Sequence, residues 1–553
     1  MRSLLLAPLV LLVPLIVAMT WSGSATERPA DFTFVNRDDI NTLDPKGMSW
    51  MQDIRVGYAL WEGLYQLDPV TLKAVPGVAE TIDVSPDKKQ WTFHFRPDAK
   101  WNNGDPVTPR DFVFAWKRML DDPGDYSYLL RVIKNAGPYS DAIVGGQTAD
   151  FDDVGIKVID DRTLRVTLER PVVYFADLCA FPPMFPLHEA SMKRHVRRDT
   201  GSGGVTRYDP KFTRDLPLVT NGPFMLTKWE FKKRLRMEKS VHYWDHANVK
   251  SDVIEQVSAS MHPAFLMYET GGVDWVAEVT GDIASELREK VLKGERNDLR
   301  VFPSFGTYFY SFNCNAKFAD GKPNPLADPR VRRALSMAVD KRIIVDNVTR
   351  MGEQPADTYI PRGAFADYNS PDGPPFDVAG ARKLLAEAGY PDGRGFPALS
   401  ILFNSGMQHG DIAQSVVNQW KANLGISISL EGVEIKVFRQ RLHNKDYSIA
   451  RASWFGDYND PSTFTDKYRS VAENNDAAWI NPAYDALCDA AANETDPAIR
   501  MRHFEKAERL LLDEAPILPM YYYVNSYLHR DNVKGIPQNV RNMVSFKSFY
   551  VER

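Results

Sequence analysis

The chain has 553 residues, 44% of them hydrophobic and 12% aromatic, which is globular composition with ample material for several cores. A formal net charge of −5 excludes a general affinity for nucleic acid. Cys179, Cys314 and Cys488 allow at most one internal disulfide and form no C-x-x-C motif, so the fold does not depend on disulfide staples.

In chain order, M-R-S precedes an apolar run from Leu4 to Met19 and then W-S-G-S-A-T, the layout of a secretory signal. Cleavage is expected after Ala25. The run is somewhat long, which leaves an uncleaved membrane anchor open. No cysteine stands near the cleavage point, which argues against a lipid anchor. No later stretch approaches the ~20 apolar residues of a membrane span. The mature protein is expected to be soluble and exported.

S-P-D-K (85–88) reads as a turn, and Q-W-T-F-H-F (90–95) as an alternating strand. Thr108, Pro109 and Asp111 spell a helix start: a cap, a first-turn proline and a returning carboxylate. Phe112, Val113, Trp116, Met119 and Leu120 form the apolar stripe of that helix. V-I-D-D-R-T-L-R-V-T-L (158–168) reads as a hairpin. Further capped helices are expected over 328–340 and over 377–390 with a stop at Gly389, and another helix over 496–512. P-I-L-P-M-Y-Y-Y-V (516–524) returns to strand. No repeat or low-complexity linker separates these patterns, so interleaved mixed α/β lobes are expected.

Motifs of catalysis are sparse. The chain lacks G-x-S-x-G, H-E-x-x-H, a Walker A loop and G-x-G-x-x-G. S-P-D-K matches a serine–lysine spelling but has turn composition. His242 and His246 have the spacing of half a metal site, yet their Tyr, Trp and A-N-V neighbours read as a loop. No catalytic residue, metal ligand or cofactor is assigned. R-A-S-W-F-G-D-Y-N-D-P (451–461) remains: an aspartate among aromatics, with an arginine six residues earlier.

P-G-V-A-E (76–80) and the run from Ser85 through W-T-F-H-F-R-P-D-A-K-W-N-N-G-D-P to Arg118 resemble the hallmark segment of family 5 extracellular solute-binding proteins, the receptors of ABC importers. V-T-N-G-P-F (219–224), S-V-H-Y-W-D (240–245), D-P-R-V-R-R-A-L (328–335), A-R-K-L-L-A-E-A-G-Y (381–390) and P-M-Y-Y-Y-V-N (519–525) extend the resemblance over nearly all of the chain. It implies an α/β, two-lobed periplasmic binding protein fold of the large type II kind, with an additional small third domain. Lobe I would comprise 26–61, 191–303 and 525–553, the small domain 62–190, and lobe II 304–524. The lobes would close about a hinge of two crossing segments. A periplasmic monomer is expected, with a peptide ligand and the permease subunits of an ABC transporter as partners.

A free peptide carries an ammonium and a carboxylate, and enclosing it between lobes strips water from both. Each buried charge then needs a partner, or binding is lost by several kcal/mol. In peptide-binding members, the aspartate of a segment like W-F-G-D-Y-N-D-P receives the ammonium; that position is Asp457. Arg451, His409 and His443 match positions that receive carboxylates. Ser453 and Phe455 would offer backbone groups, Trp454 and Tyr523 would form walls, and Met51 would meet peptide backbone from the other lobe. The competing readings are an Asx-type turn for Asp457, a structural ion pair for Arg451 and core packing for Trp454 and Tyr523.

The chain also departs from the peptide-binding pattern. Phe455 stands where a member has a cysteine bridged to another near Gly306. Leu442 replaces a basic residue, with Arg441 one place earlier. Ser311, Ile435 and Ser336 replace a glutamate, a tryptophan and a lysine. The carboxylate end is therefore partly altered, and a cell-wall peptide or an amine-bearing small molecule stays open as ligand. A sensory receptor and a hydrolase on this scaffold are the readings from other classes.

Overall fold

Two long antiparallel strands, Leu299–Phe312 and Ile517–His529, run side by side through the middle of the protein. This is a computed structural model that describes residues 27–37, 39–197, 205–365 and 367–553. The segment read as a signal, 1–25, lies outside the described residues. The register of the two strands shifts between Pro303 and Thr307, and again between Tyr308 and Phe309. Pro303 cannot donate to a ladder, and such breaks add twist and bend to a strand.

The two strands stand inside one sheet. Beyond Ile517–His529 come Trp275–Val276, Phe32–Val35, Val253–Val257, Arg234–Lys239 and Phe224–Glu230. Beyond Leu299–Phe312 come Ile449–Phe455, Leu399–Asn404 and Ile428–Val433. Phe32–Val35 is parallel to both of its neighbours, and Leu399–Asn404 is parallel to Ile428–Val433 with helix His409–Leu424 between them. The class is therefore mixed α/β, as expected.

A separate antiparallel sheet holds the strand Gln90–Phe95 and the hairpin Ile156–Asp160/Thr163–Thr167. Helix Pro109–Asp121 begins with the capping box its sequence spells: Thr108 N–H donates to Asp111 at 2.8 Å. Its Phe112, Trp116, Met119 and Leu120 are buried, and Val113 is partly so. Asp328, Asp377 and Asp496 cap helices Pro329–Met337, Val378–Glu387 and Pro497–Glu514. Gly389 follows the second with φ +98°, a conformation L side chains resist.

Apolar burial divides along the long strands. One continuous core joins the small sheet to residues 32–277 and to Met543–Phe549. Two others fill the part built from residues 305–521. All three cysteines are free thiols.

Candidate functional site

Strand Ile449–Phe455 pairs along its full length with Gly306–Phe312 on one edge. On the other edge it meets Leu399–Asn404 only through Ile449 and Ala450. From Arg451 onward, that second edge has no strand partner among the described residues. A row of backbone donors and acceptors is thus left open beside the residues singled out from sequence.

Side chains alternate along the strand. Ala452 and Trp454 turn into a core cluster. Arg451, Ser453 and Phe455 occupy the opposite face, where Arg451 Nη2 donates to the Tyr523 hydroxyl at 3.1 Å and the Phe455 ring lies 4.8 Å from that of Tyr523. Tyr523 therefore lines the same face as Arg451, and Trp454 does not. The Trp454 indole donates to the Thr463 carbonyl at 2.6 Å, while Thr463 Oγ1 accepts the Asp457 N–H at 2.8 Å. Trp454 is a brace behind Asp457 rather than a wall beside Tyr523, because the period of two puts it on the core side.

Arg451 has no ion-pair partner among the described residues. Its guanidinium lies 5.1 Å from the Tyr308 ring centre, Nη1 reaches Asn404 at 3.5 Å, and buried Nε has no hydrogen-bond partner. His409 begins helix His409–Leu424 and is 3% exposed. Its Nδ1 lies 3.3 Å from the Tyr308 hydroxyl, and its Nε2 is also without a partner. Burial, reinforced by the Arg451 charge, pushes the imidazole down to about 3, so it is neutral at ordinary pH. Tyr308 thus joins an uncompensated cation to a neutral imidazole, each with an unused nitrogen.

His443 stands apart from this pair. It ends helix Ile435–His443, is exposed, and shares no hydrogen bond or ring contact with Arg451 or His409. One turn earlier on the same helix, the Arg439 guanidinium lies 5.8 Å from the Trp50 ring centre. Trp50 immediately precedes Met51, which opens helix Met51–Leu60. Arg441, beside Leu442, is held by Glu431 and Asp446. Ser311 lies against the Tyr447 hydroxyl, Ser336 donates to the Arg332 carbonyl, and Ile435 is exposed.

Asp457 follows the open strand. Its two carboxylate oxygens accept from the Tyr126 and Tyr128 hydroxyls at 3.1 and 3.0 Å. Its carbonyl accepts from Arg541 at 2.6 Å. Burial pushes its pKa up, and the two hydroxyls, with the nearby Arg541 charge, pull part of the way back. No cation pairs with the carboxylate among the described residues. Tyr126, Tyr128, Arg541 and Tyr308 were not singled out from sequence. They lie far along the chain from 457, and no local spacing marks them.

Phe455, 48% exposed, stands opposite Gly306, where its ring covers the space a side chain would fill. No cluster of His, Cys, Asp and Glu suited to a metal occurs among the described residues, and no described helix is long and apolar enough to cross a membrane.

Residues 73–476 match the family described as bacterial extracellular solute-binding proteins, family 5 Middle. The chain is 34% identical over 484 residues to the oligopeptide-binding protein OppA of Bacillus subtilis, covering 86% of this chain and 84% of that protein. It is similar to the structure of the Escherichia coli murein tripeptide binding protein MppA, with a TM-score of 0.76 and 30% identity over 95% of this chain and 99% of that one. It is also similar to Listeria monocytogenes OppA bound to peptide, with a TM-score of 0.74 and 28% identity over 95% of this chain and 100% of that one.

Proposed function

The chain belongs to the bacterial extracellular solute-binding proteins of family 5, and we propose that it is an exported receptor that captures oligopeptides between two closing lobes and delivers them to an ABC-type importer. The observation that carries this reading is a pair of charges, flanking an open strand edge, that have no ion-pair partner among the described residues. Among the described residues the Asp457 carboxylate accepts only from neutral hydroxyls, and Arg451 meets no carboxylate. A buried charge without a counter-charge is costly, so each position favours a ligand that supplies one.

A zwitterionic peptide supplies both. Its ammonium meets Asp457, and its carboxylate meets Arg451 with His409 beside it. At ~3.3 Å per residue, the strand sets the two positions up to ~20 Å apart, the span of a short extended peptide. Ser453 and Phe455 present backbone to the ligand in β-like register, which gives affinity without reading side chains. Met51, next to Trp50, approaches from the opposite lobe, and His443 stands farther along for a longer ligand. Closure bends the two long strands at their register break, between a lobe I of 26–61, 191–303 and 525–553 and a lobe II of 304–524, with 62–190 as the small domain. Ligand touching both lobes shifts the population to the closed form, and a permease can read that form. None of this requires covalent chemistry.

The test is calorimetry of one short peptide in free, N-acetylated and C-amidated forms, alongside mass spectrometry of ligands released from purified protein. Tighter binding of the free peptide and recovery of peptides are expected. Equal affinities for all three forms would sink the two-charge reading.

A further inference from the structure

A buried ion pair lies directly behind the Asp457 loop. Asp177, in the short helix Phe175–Leu178, meets Arg541 Nη1 at 3.1 and 3.2 Å, and both side chains are more than nine-tenths buried. Each partner also bonds the same three-residue stretch. Arg541 Nη2 donates to the Asp457 carbonyl at 2.6 Å, and Asp177 Oδ2 accepts the Asn459 N–H at 2.8 Å. Between them, Tyr458 stacks on Tyr174 with ring centres 4.5 Å apart and planes 9° apart.

The stretch crosses between cores. Tyr174 and Tyr458 belong to the core of the N-terminal part, whereas strand Ile449–Phe455 feeds the cores of residues 305–521. Residues 457–459 therefore leave the body that carries their strand and are gripped by the other. The same body supplies the hydroxyls of Tyr126 and Tyr128 to the Asp457 carboxylate.

We infer that Asp177 and Arg541 are positioning residues for ligand recognition: their ion pair fixes the backbone at Asp457 and Asn459 and so aims the Asp457 carboxylate. The inference rests on Asp457 receiving the ligand's ammonium. Its physical basis is geometric. A guanidinium can donate to a carboxylate and a carbonyl at once, and that fork holds the loop from two directions. An ammonium on a lysine stem has no such fixed fork. Arg541 forms no ion pair with the Asp457 carboxylate, being engaged by Asp177 and by the Asp457 carbonyl, although its charge reaches that carboxylate and favours its ionised form.

The ratio of affinities for a free and an N-acetylated peptide separates aiming from general support. It is measured by calorimetry on the full mature protein for the wild type, Arg541→Met, Arg541→Lys and Asp177→Asn. Asp177→Asn keeps an oxygen for the Asn459 N–H, so it guards against simple unfolding, and circular dichroism checks each variant. Expected is a wild-type preference for the free amine that drops on the order of tenfold in Arg541→Met and Asp177→Asn, a change each tenfold of which is 1.4 kcal/mol. Affinity for the acetylated peptide should stay near wild type, with Arg541→Lys between the extremes. An undiminished preference in folded variants would overturn the inference while leaving the role of Asp457 standing. A wild type that ignores acetylation would remove both.

Discussion

Tyr128 and Asp457 stand 329 residues apart in the chain and meet through a 3.0 Å hydrogen bond. Tyr126 takes the other carboxylate oxygen at 3.1 Å. Two neutral donors satisfy the geometry of the carboxylate without cancelling its charge. The hydrogen-bonding capacity of the carboxylate is thereby partly met, which lowers the cost of keeping a charge in a half-buried place; under the proposed function that charge is left for the ligand's ammonium.

Asp457→Ala is expected to weaken free-amine peptides by about 1.5–3 kcal/mol, the range of a hydrogen bond to a charged group. N-acetylated peptides should be unaffected, and thermal stability should hold because no ion pair is lost. Because burial raises the pKa of Asp457, affinity for free-amine peptides should fall as pH drops through that raised value. Removing the hydroxyls in a Tyr126→Phe, Tyr128→Phe variant should move this acid limb toward neutrality. Calorimetry across pH checks both statements.

Arg451→Met should cost affinity for peptides with a free carboxylate and spare C-amidated ones. The guanidinium has no carboxylate to lose, so folding stability should be unchanged or higher, the opposite of breaking a buried ion pair. Comparison of unfolding curves and binding isotherms tests this; loss of stability would return Arg451 to a structural role.

Glu508 is almost fully buried, accepts the Tyr368 hydroxyl and the Ile360 N–H, and is pushed up to about 7 by burial. Between its ordinary value of 4.5 and about 7, the folded chain holds a proton that the unfolded chain has released. Stability from this group is therefore full below the ordinary value and falls as pH rises through the window, by on the order of 3 kcal/mol. Glu508→Gln should flatten that slope. Part should persist, because Glu62 is also buried and raised to about 7. Urea unfolding at several pH values measures it.

Gly306→Ala should destabilise by about 1–2 kcal/mol, since the new methyl would sit 2.4 Å from Phe455 Cδ1 and force that ring off Tyr523. Pairing it with Phe455→Ala should relieve the clash. Non-additive melting temperatures in the double-mutant cycle are the expected signature.

Local signals in the sequence translate directly into structure where the partners are neighbours. Thr108, Pro109 and Asp111 complete their cap within one turn, and Gly389 ends its helix through its own φ. Asp457 and Arg451 are marked by resemblance, and that neither has an ion-pair partner among the described residues is visible only once their surroundings are assembled. Trp454 shows the limit of a short motif. Trp454 stands between Ser453 and Phe455 and turns the opposite way from both, because strand alternation decides its face.

The sequence by itself determined the helix starts, the hairpin and the family pattern, because caps, turns and periodicity involve residues a few positions apart. Only the tertiary structure decided that Tyr126, Tyr128, Asp177 and Arg541 converge on residues 457–459, that Arg441 is spent on Glu431 and Asp446, and that the edge after Ala450 has no strand partner among the described residues. Those outcomes depend on the pairing and register of strands distant in the chain. Burial and the electrostatics it produces exist only after that pairing is made.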